Sequence, residues 1–204
     1  MTDYFDQQAA NWDSDPVKIE RARAAAQAIR DNLSLAPNCT ALEYGCGTGL
    51  LSFALQPYLG QITLADSSSG MLAVLNEKIA ASGVHNMFPM KVDFSTDPLP
   101  QIKYQLIYTL MVLHHIPDTD WILQDFYTLL ERPGVLCVAD LEKEDGSFHG
   151  RDFSGHKGFD HDELSQKVLS AGFRKVEFKP VFQMPKTIGE VTKYFPLFLM
   201  IADK

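Results

Sequence analysis

Cysteine is scarce: the 204-residue chain holds three, Cys39, Cys46 and Cys137, and no CxxC pair among them. An odd, scattered set excludes a disulfide framework and a thiolate metal cluster, and is expected of reduced thiols in a cytoplasmic protein. Positive charge is in deficit too, with 18 Lys and Arg against 26 Asp and Glu for a net charge of −8. Such a chain has no global basic field to attract a phosphate backbone or an anionic lipid surface, so neither nucleic acid nor membrane is expected as a partner. Long apolar runs are missing, the longest being "FPLFLMIA" near the C-terminus, far too short to span a bilayer. The first residues, "MTDYFDQQAANWD", are acidic and polar where a signal peptide would be basic and then apolar, so no targeting segment is expected. Internal repeats, low-complexity tracts and linkers with domain-boundary character are also absent. One domain is expected over residues 1–204, with 1–34 as an N-terminal lid and helix and 35–204 as the core.

What the chain does have is alternation. Asp15-Pro16 offers an N-cap followed by a proline suited to the first helical position, and Val17, Ile19, Ala22, Ala26, Ile29 and Leu33 continue at near-helical spacing. "TALEY" reads as a short buried strand, and "GLLSFALQPYL" as a helix that Pro57 disturbs. The cadence repeats: strand "QITLAD", helix "SGMLAVLNEKIAAS", strands "MFPMKVD" and "YQLIYTL", helix "DTDWILQDFYTLLE", strand "GVLCVAD", helix "DHDELSQKVLSAG". Strands alternating with helices at this interval imply right-handed βαβ units and a doubly wound, mostly parallel sheet with helices on both faces. After Gly172 two β-rich runs, "FRKVEFKPVF" and "YFPLFLMIADK", flank a short segment "KTIGEVTK", and are placed to pair as an antiparallel edge.

In such a sheet a ligand lies across the C-terminal ends of the strands. Between Thr40 and Ser52 the sequence "TALEYGCGTGLLS" sets Gly45, Gly47 and Gly49 where strand turns into helix, with Glu43 just ahead. The second strand ends at Asp66, the third at Asp93 and the fifth at Asp140. Any one of these acids alone is more simply a helix cap or a solvated side chain; several in register point to a ligand. Asp66 is placed to accept hydrogen bonds from two ribose hydroxyls. Its other role, capping the helix from Ser69, can be filled by Ser67, Ser68 or Ser69. Asp93 is placed to accept from an exocyclic amine such as adenine N6 beside the apolar wall of Phe94, or equally to be an exposed turn acid.

The ordered set "LEYGCGTGLLS", "LADSSSGML", "KVDF" and "YTLMVLHHIPD" resembles the class I S-adenosylmethionine-dependent methyltransferases of small-molecule type. The resemblance runs over nearly the whole chain. It implies a Rossmann-like seven-stranded sheet of order 3-2-1-4-5-7-6 with strand seven antiparallel. It also implies S-adenosyl-L-methionine as cofactor, S-adenosyl-L-homocysteine as product and a small-molecule methyl acceptor, on a monomer or homodimer. Gly45, Gly47 and Gly49 then match the cofactor-contacting turn, and Glu43 the acid that orients it or reaches the cofactor's amino group through water. Asp66 matches the ribose acid, with Ser67 and Met71 near the adenosine and Asp93 and Phe94 at the adenine edge. Thr109 and Leu110 match the methionine side, although Leu110 stands where many relatives carry a small polar residue. Tyr4, Phe5 and Trp12 are similar to the aromatic segment that closes such sites, and would also serve as packing for the first helix.

Methyl transfer from a sulfonium is an in-line displacement, so alignment and exclusion of water are the protein's main tasks. A base helps only where the nucleophile is protonated. His114 and His115 are the first candidates, against a structural role in the turn before Pro117; no catalytic residue and no metal site is assigned. His149 and His156 fall in residues 141–158, a polar segment expected as a long loop, where a histidine is usually just solvated. Cys46 in the glycine turn and Cys137 in a strand leave no exposed thiol cluster for a soft ion such as arsenic, so the acceptor atom is oxygen, nitrogen or carbon. Phe148, Phe153, Phe159 and Phe182 suit an apolar acceptor, though core packing explains most of them. A nucleotide-dependent oxidoreductase is the rival reading, disfavoured because its usual fingerprint is G-x-G-x-x-G and Leu50 stands at the last position. A non-catalytic S-adenosylmethionine-binding protein of the same fold is another.

Overall fold

The computed structural model describes residues 2–150 and 153–204. Helix α1 (Thr2–Gln8) runs into a 3-10 turn (Ala9–Ser14), followed by α2 (Pro16–Asn32), β1 (Ala41–Tyr44), α3 (Leu50–Leu55), β2 (Ile62–Asp66) and α4 (Ser69–Ser82). Then come β3 (Met87–Lys91), β4 (Tyr104–Leu110), α5 (Thr119–Leu129), β5 (Leu130–Leu141), α6 (His161–Ser170), β6 (Arg174–Ile188) and β7 (Val191–Asp203). The caps place the helices. Asp15 accepts from the Val17 amide at 2.9 Å with Pro16 at the first helical position. Ser68, Asp118 and Asp160 cap α4, α5 and α6 in the same way.

The seven strands form one sheet of order β3-β2-β1-β4-β5-β7-β6, in which β7 is antiparallel to both of its neighbours. The topology is the one the resemblance implied. Buried faces explain the layers: Ala25, Ile29, Leu51, Leu55, Leu72 and Leu75 of α2, α3 and α4 pack with Leu64, Leu106 and Tyr108 of the sheet. On the opposite face Ile122, Phe126, Leu129, Leu164 and Val168 of α5 and α6 pack with Leu42, Ile107, Leu136 and Phe198. Among the described residues no helix is long and apolar enough to cross a membrane.

Three expectations need correction. "KTIGEVTK" is not a separate segment: Thr187 pairs with Thr192 and Ile188 with Val191, so both strands extend to a two-residue turn at Gly189 and Glu190. Cross-strand β-branched pairs and a short turn favour this over a loop. The third strand stops at Lys91, two residues short of Asp93, which starts a turn instead. The N-terminal aromatic segment is itself helical, a periodicity too short to register in the sequence.

Candidate functional site

The chain leaves β1 through three glycines in the left-handed region, with φ of 69° at Gly45, 54° at Gly47 and 80° at Gly49. Their surroundings differ. A Cβ on Gly45 would sit 2.4 Å from Val112 Cγ2, and one on Gly49 2.6 Å from Leu75 Cδ1, so protein packing accounts for the bare backbone there. On Gly47 the nearest atom would be Met71 Sδ at 3.9 Å, which leaves that position open to a ligand. The Gly47 amide donates to Asp66 Oδ2 at 2.7 Å, tying the turn to the end of the neighbouring strand.

Asp66 is mostly enclosed, and burial raises its carboxyl while the Ser68 and Gly47 amides pull it down. Oδ1 accepts from the Ser68 amide at 2.8 Å. The helix cap belongs to Ser68, whose hydroxyl accepts from the Met71 amide at 3.1 Å. Each Asp66 oxygen therefore keeps a lone pair for a further donor. Ser67 lies half-buried beside it, and Met71 is buried beneath the glycine turn. Glu43 points inward: it accepts from the Ser52 hydroxyl, which also lies 2.5 Å from the Tyr108 hydroxyl. Burial pushes the Glu43 carboxyl up to about 8, against the Ser52 hydrogen bonds. It thus fastens the end of β1 to the first turn of α3, on either side of the glycine turn.

Beyond β3, Asp93 accepts from the Ser95 amide at 3.0 Å and the Ser95 hydroxyl at 2.6 Å, the turn role weighed for it above. Phe94 is buried and stacks on Tyr44 with centroids 4.8 Å apart. At the end of β4, Thr109 is buried with no partner for its hydroxyl among the described residues, and Leu110 is half-buried. Met111 follows with φ of 59°, an uncommon conformation for a residue with a side chain. Sequence reasoning passed over Met111, because nothing in its type signals that conformation.

The other half of the edge is built on a 3-10 turn, Leu113–His115. The β4–β5 register pairs Leu110 with Ala139, which brings this turn against Asp140. His114 Nδ1 lies 2.6 Å from Asp140 Oδ1, the His114 amide donates to Oδ2 at 3.2 Å and the Leu141 amide to Oδ1 at 2.7 Å. Both side chains are 0% exposed. Asp140 is therefore neither cap nor solvated acid, a correction to the reading of strand-end acids. Burial pushes its carboxyl up, but the His114 imidazole and these hydrogen bonds outweigh that and hold it below the usual range. Arg21 of α2 adds a positive charge facing Asp140.

His149 joins this turn while staying partly exposed. Its ring stacks on Phe153 at 3.8 Å and lies 4.9 Å from His114 and 5.3 Å from His115. The loop is held in place: Phe148 is buried with Leu141, Met184, Phe195 and Leu197, and the His156 amide donates to the His114 carbonyl at 2.8 Å. Residues 151 and 152 of the expected 141–158 loop lie outside the described residues. Burial, then the neighbouring imidazoles, push His115 down to about 3, and burial, His114 and Lys186 push His149 down to about 4.

The N-terminal segment connects the two halves. Asp6 accepts from the Ser68 hydroxyl at 2.6 Å and the Gly70 amide at 2.7 Å. Asp13 accepts from the Thr48 hydroxyl at 2.5 Å and pairs with Lys78, which also donates to the Thr48 carbonyl at 2.7 Å. Phe5 packs edge-on against His115 at 5.6 Å and Trp12 at 5.9 Å, while Tyr4 remains exposed. Tyr4, Phe5 and Trp12 were singled out in the sequence; Asp6, Asp13 and Lys78 were not, since their partners are set only by the fold.

Residues 41–134 match a protein family described as "Methyltransferase domain". An uncharacterized methyltransferase of Schizosaccharomyces pombe is 34% identical over 53% of this chain and 41% of its own length. A ubiquinone/menaquinone biosynthesis C-methyltransferase of Shewanella sediminis is 24% identical over 70% of this chain and 69% of its own. The chain spans only about two fifths of the first relatives it matches, 37–41% of their lengths. Among solved structures, the DhpI–SAH complex shares 20% identity and covers all of this chain, with 94% of its own length aligned and a TM-score of 0.75.

Proposed function

We propose that this chain is a class I S-adenosylmethionine-dependent methyltransferase and transfers the cofactor's methyl group to an oxygen, nitrogen or carbon of a small-molecule acceptor. One observation carries the reading: Gly47, the open glycine of the turn, is tied directly to Asp66, whose oxygens retain capacity for two hydroxyl donors. The cofactor's ribose would rest on Asp66, its adenosine beside Ser67 and Met71 and toward Asp93 and Phe94. Its methionine part would run over Gly45, Gly47 and Gly49 toward Thr109 and Leu110. Glu43 orients the turn from below. The relative named for ubiquinone and menaquinone biosynthesis supports a small molecule over a macromolecule as acceptor.

The methyl group of a sulfonium is activated before it reaches the protein, and the chain's residues supply geometry and dryness. The strand ends would hold the sulfonium, the Leu113–His115 turn would face the acceptor, and residues 2–14 together with the loop after β5 would bracket both. S-Adenosylmethionine and S-adenosylhomocysteine should bind with roughly micromolar affinity, about −8 kcal/mol, and raise the melting temperature, while NADH does neither. Thermal shift and calorimetry read this directly. NADH binding as tight as S-adenosylhomocysteine would instead support an oxidoreductase.

A further inference from the structure

Three buried ring nitrogens, His114 Nε2, His115 Nδ1 and His149 Nε2, have no hydrogen-bond partner among the described residues. Each orphaned polar atom costs about 1–3 kcal/mol, and three in one place call for a shared partner. Each of the three histidines presents a ring nitrogen within 4.8 Å of those of the other two. A tetrahedral ion with bonds of about 2.0–2.1 Å holds its ligands roughly 3.3 Å apart, so the set would close by up to about 1.5 Å. The set is also prepared from behind. Asp140 holds His114 through Nδ1 at 2.6 Å, which leaves Nε2 as the free nitrogen. A carboxylate behind a ligating imidazole fixes its tautomer and raises its basicity. The Asp140 charge offsets the nearby cations Arg21 and Lys186.

The geometry points to a binding site for one divalent transition-metal ion, of the zinc class, on His114, His115 and His149, with its fourth position available to the acceptor's oxygen. Imidazole donors suit zinc and its neighbours, and three protein ligands with one open position is the catalytic pattern. Metal binding itself does not depend on the methyl-transfer reading; its catalytic use does. There, an acceptor hydroxyl would bind the ion and release its proton to water. The oxygen lone pair would then form the bond to the methyl carbon as the carbon–sulfur bond breaks, its electron pair returning to sulfur to leave a neutral thioether.

The test uses the full chain, stripped with chelator and titrated with Zn²⁺, alongside His115→Ala and His149→Ala. One equivalent should bind the native protein, and either substitution should weaken it about 100-fold or more, with Asp140→Asn weakening it by about 10- to 100-fold through His114. Co²⁺ in place of Zn²⁺ should give the visible bands of a tetrahedral site, lost in His149→Ala. His149 sits on a loop outside the sheet, so that variant should remain folded and still bind S-adenosylhomocysteine. Absence of a one-equivalent Zn²⁺ site, or a site indifferent to both histidine substitutions, overturns the proposal. If S-adenosylhomocysteine fails to bind while Zn²⁺ binds through the histidines, the methyltransferase reading fails and the metal site stands.

Discussion

Replacing Asp140 with alanine should lower the stability of the fold by about 3–5 kcal/mol, because buried donors left without their acceptor cost about 1–3 kcal/mol each. The side chain is 0% exposed and accepts from the His114 ring, the His114 amide and the Leu141 amide. Alanine leaves these three groups without their acceptor in a buried site. For a chain of this size the loss should appear as a fall of roughly 6–20 °C in melting temperature. Asp140→Asn keeps one acceptor oxygen and should fall between. Urea unfolding of the native protein, Asp140→Ala, His114→Ala and the double variant, with Asp140→Asn alongside, separates the coupling from simple truncation. A loss below about 1 kcal/mol for Asp140→Ala would mean that the pair contributes little and that the turn is held by its apolar contacts.

Removing residues 1–14 should reduce methyl transfer by roughly 100-fold or more once an acceptor is in hand, while cofactor affinity stays within about tenfold. The asymmetry follows from what the segment touches. Asp6 and Asp13 hold the rim of the glycine turn and the start of α4, and Phe5 lies against His115 on the side proposed for the acceptor. Among the described residues the segment donates no hydrogen bond to the Asp66 carboxylate, which accepts from the Gly47 and Ser68 amides, and Asp6 acts on it only as a nearby charge. Its loss would open the site to water at the moment of transfer more than it would loosen the cofactor. Hydrogen exchange gives a check that needs no acceptor: amides of residues 2–14 and of the loop after β5 should gain protection on adding S-adenosylhomocysteine. Unchanged protection in both, or an equal loss of affinity and rate on deletion, would make the segment ordinary packing.

The alternating architecture was legible because each helix announces its start. Asp15-Pro16, Ser68, Asp118 and Asp160 are local signals that need no tertiary information. The glycine turn and Asp66 were legible for the same reason, since spacing along the chain decides whether they can meet. What escaped reading depends on register across the sheet. Asp140 looked like one more strand-end acid, and only the pairing of Leu110 with Ala139 shows that it lies under the His114 turn. His149 looked solvated because its loop is polar; the burial of Phe148 against Leu141 and Phe195 draws it inward. Asp6 and Asp13 appear in the sequence as surface charge, and become structural only once α1 has folded across the edge.

Titration of S-adenosylhomocysteine into the native protein and into Asp66→Ala tests the cofactor reading most directly. Asp66 lies at the meeting point of β2, the glycine turn and the α4 cap, and the account gives its remaining lone pairs to two ribose hydroxyls. The substitution should weaken binding by roughly 30- to 150-fold, about 2–3 kcal/mol, measured per folded molecule, with Asp66→Asn between. Ser68 keeps α4 capped, so the variant should remain folded. An affinity equal to that of the native protein would contradict the account and leave Asp66 as a brace for the glycine turn alone.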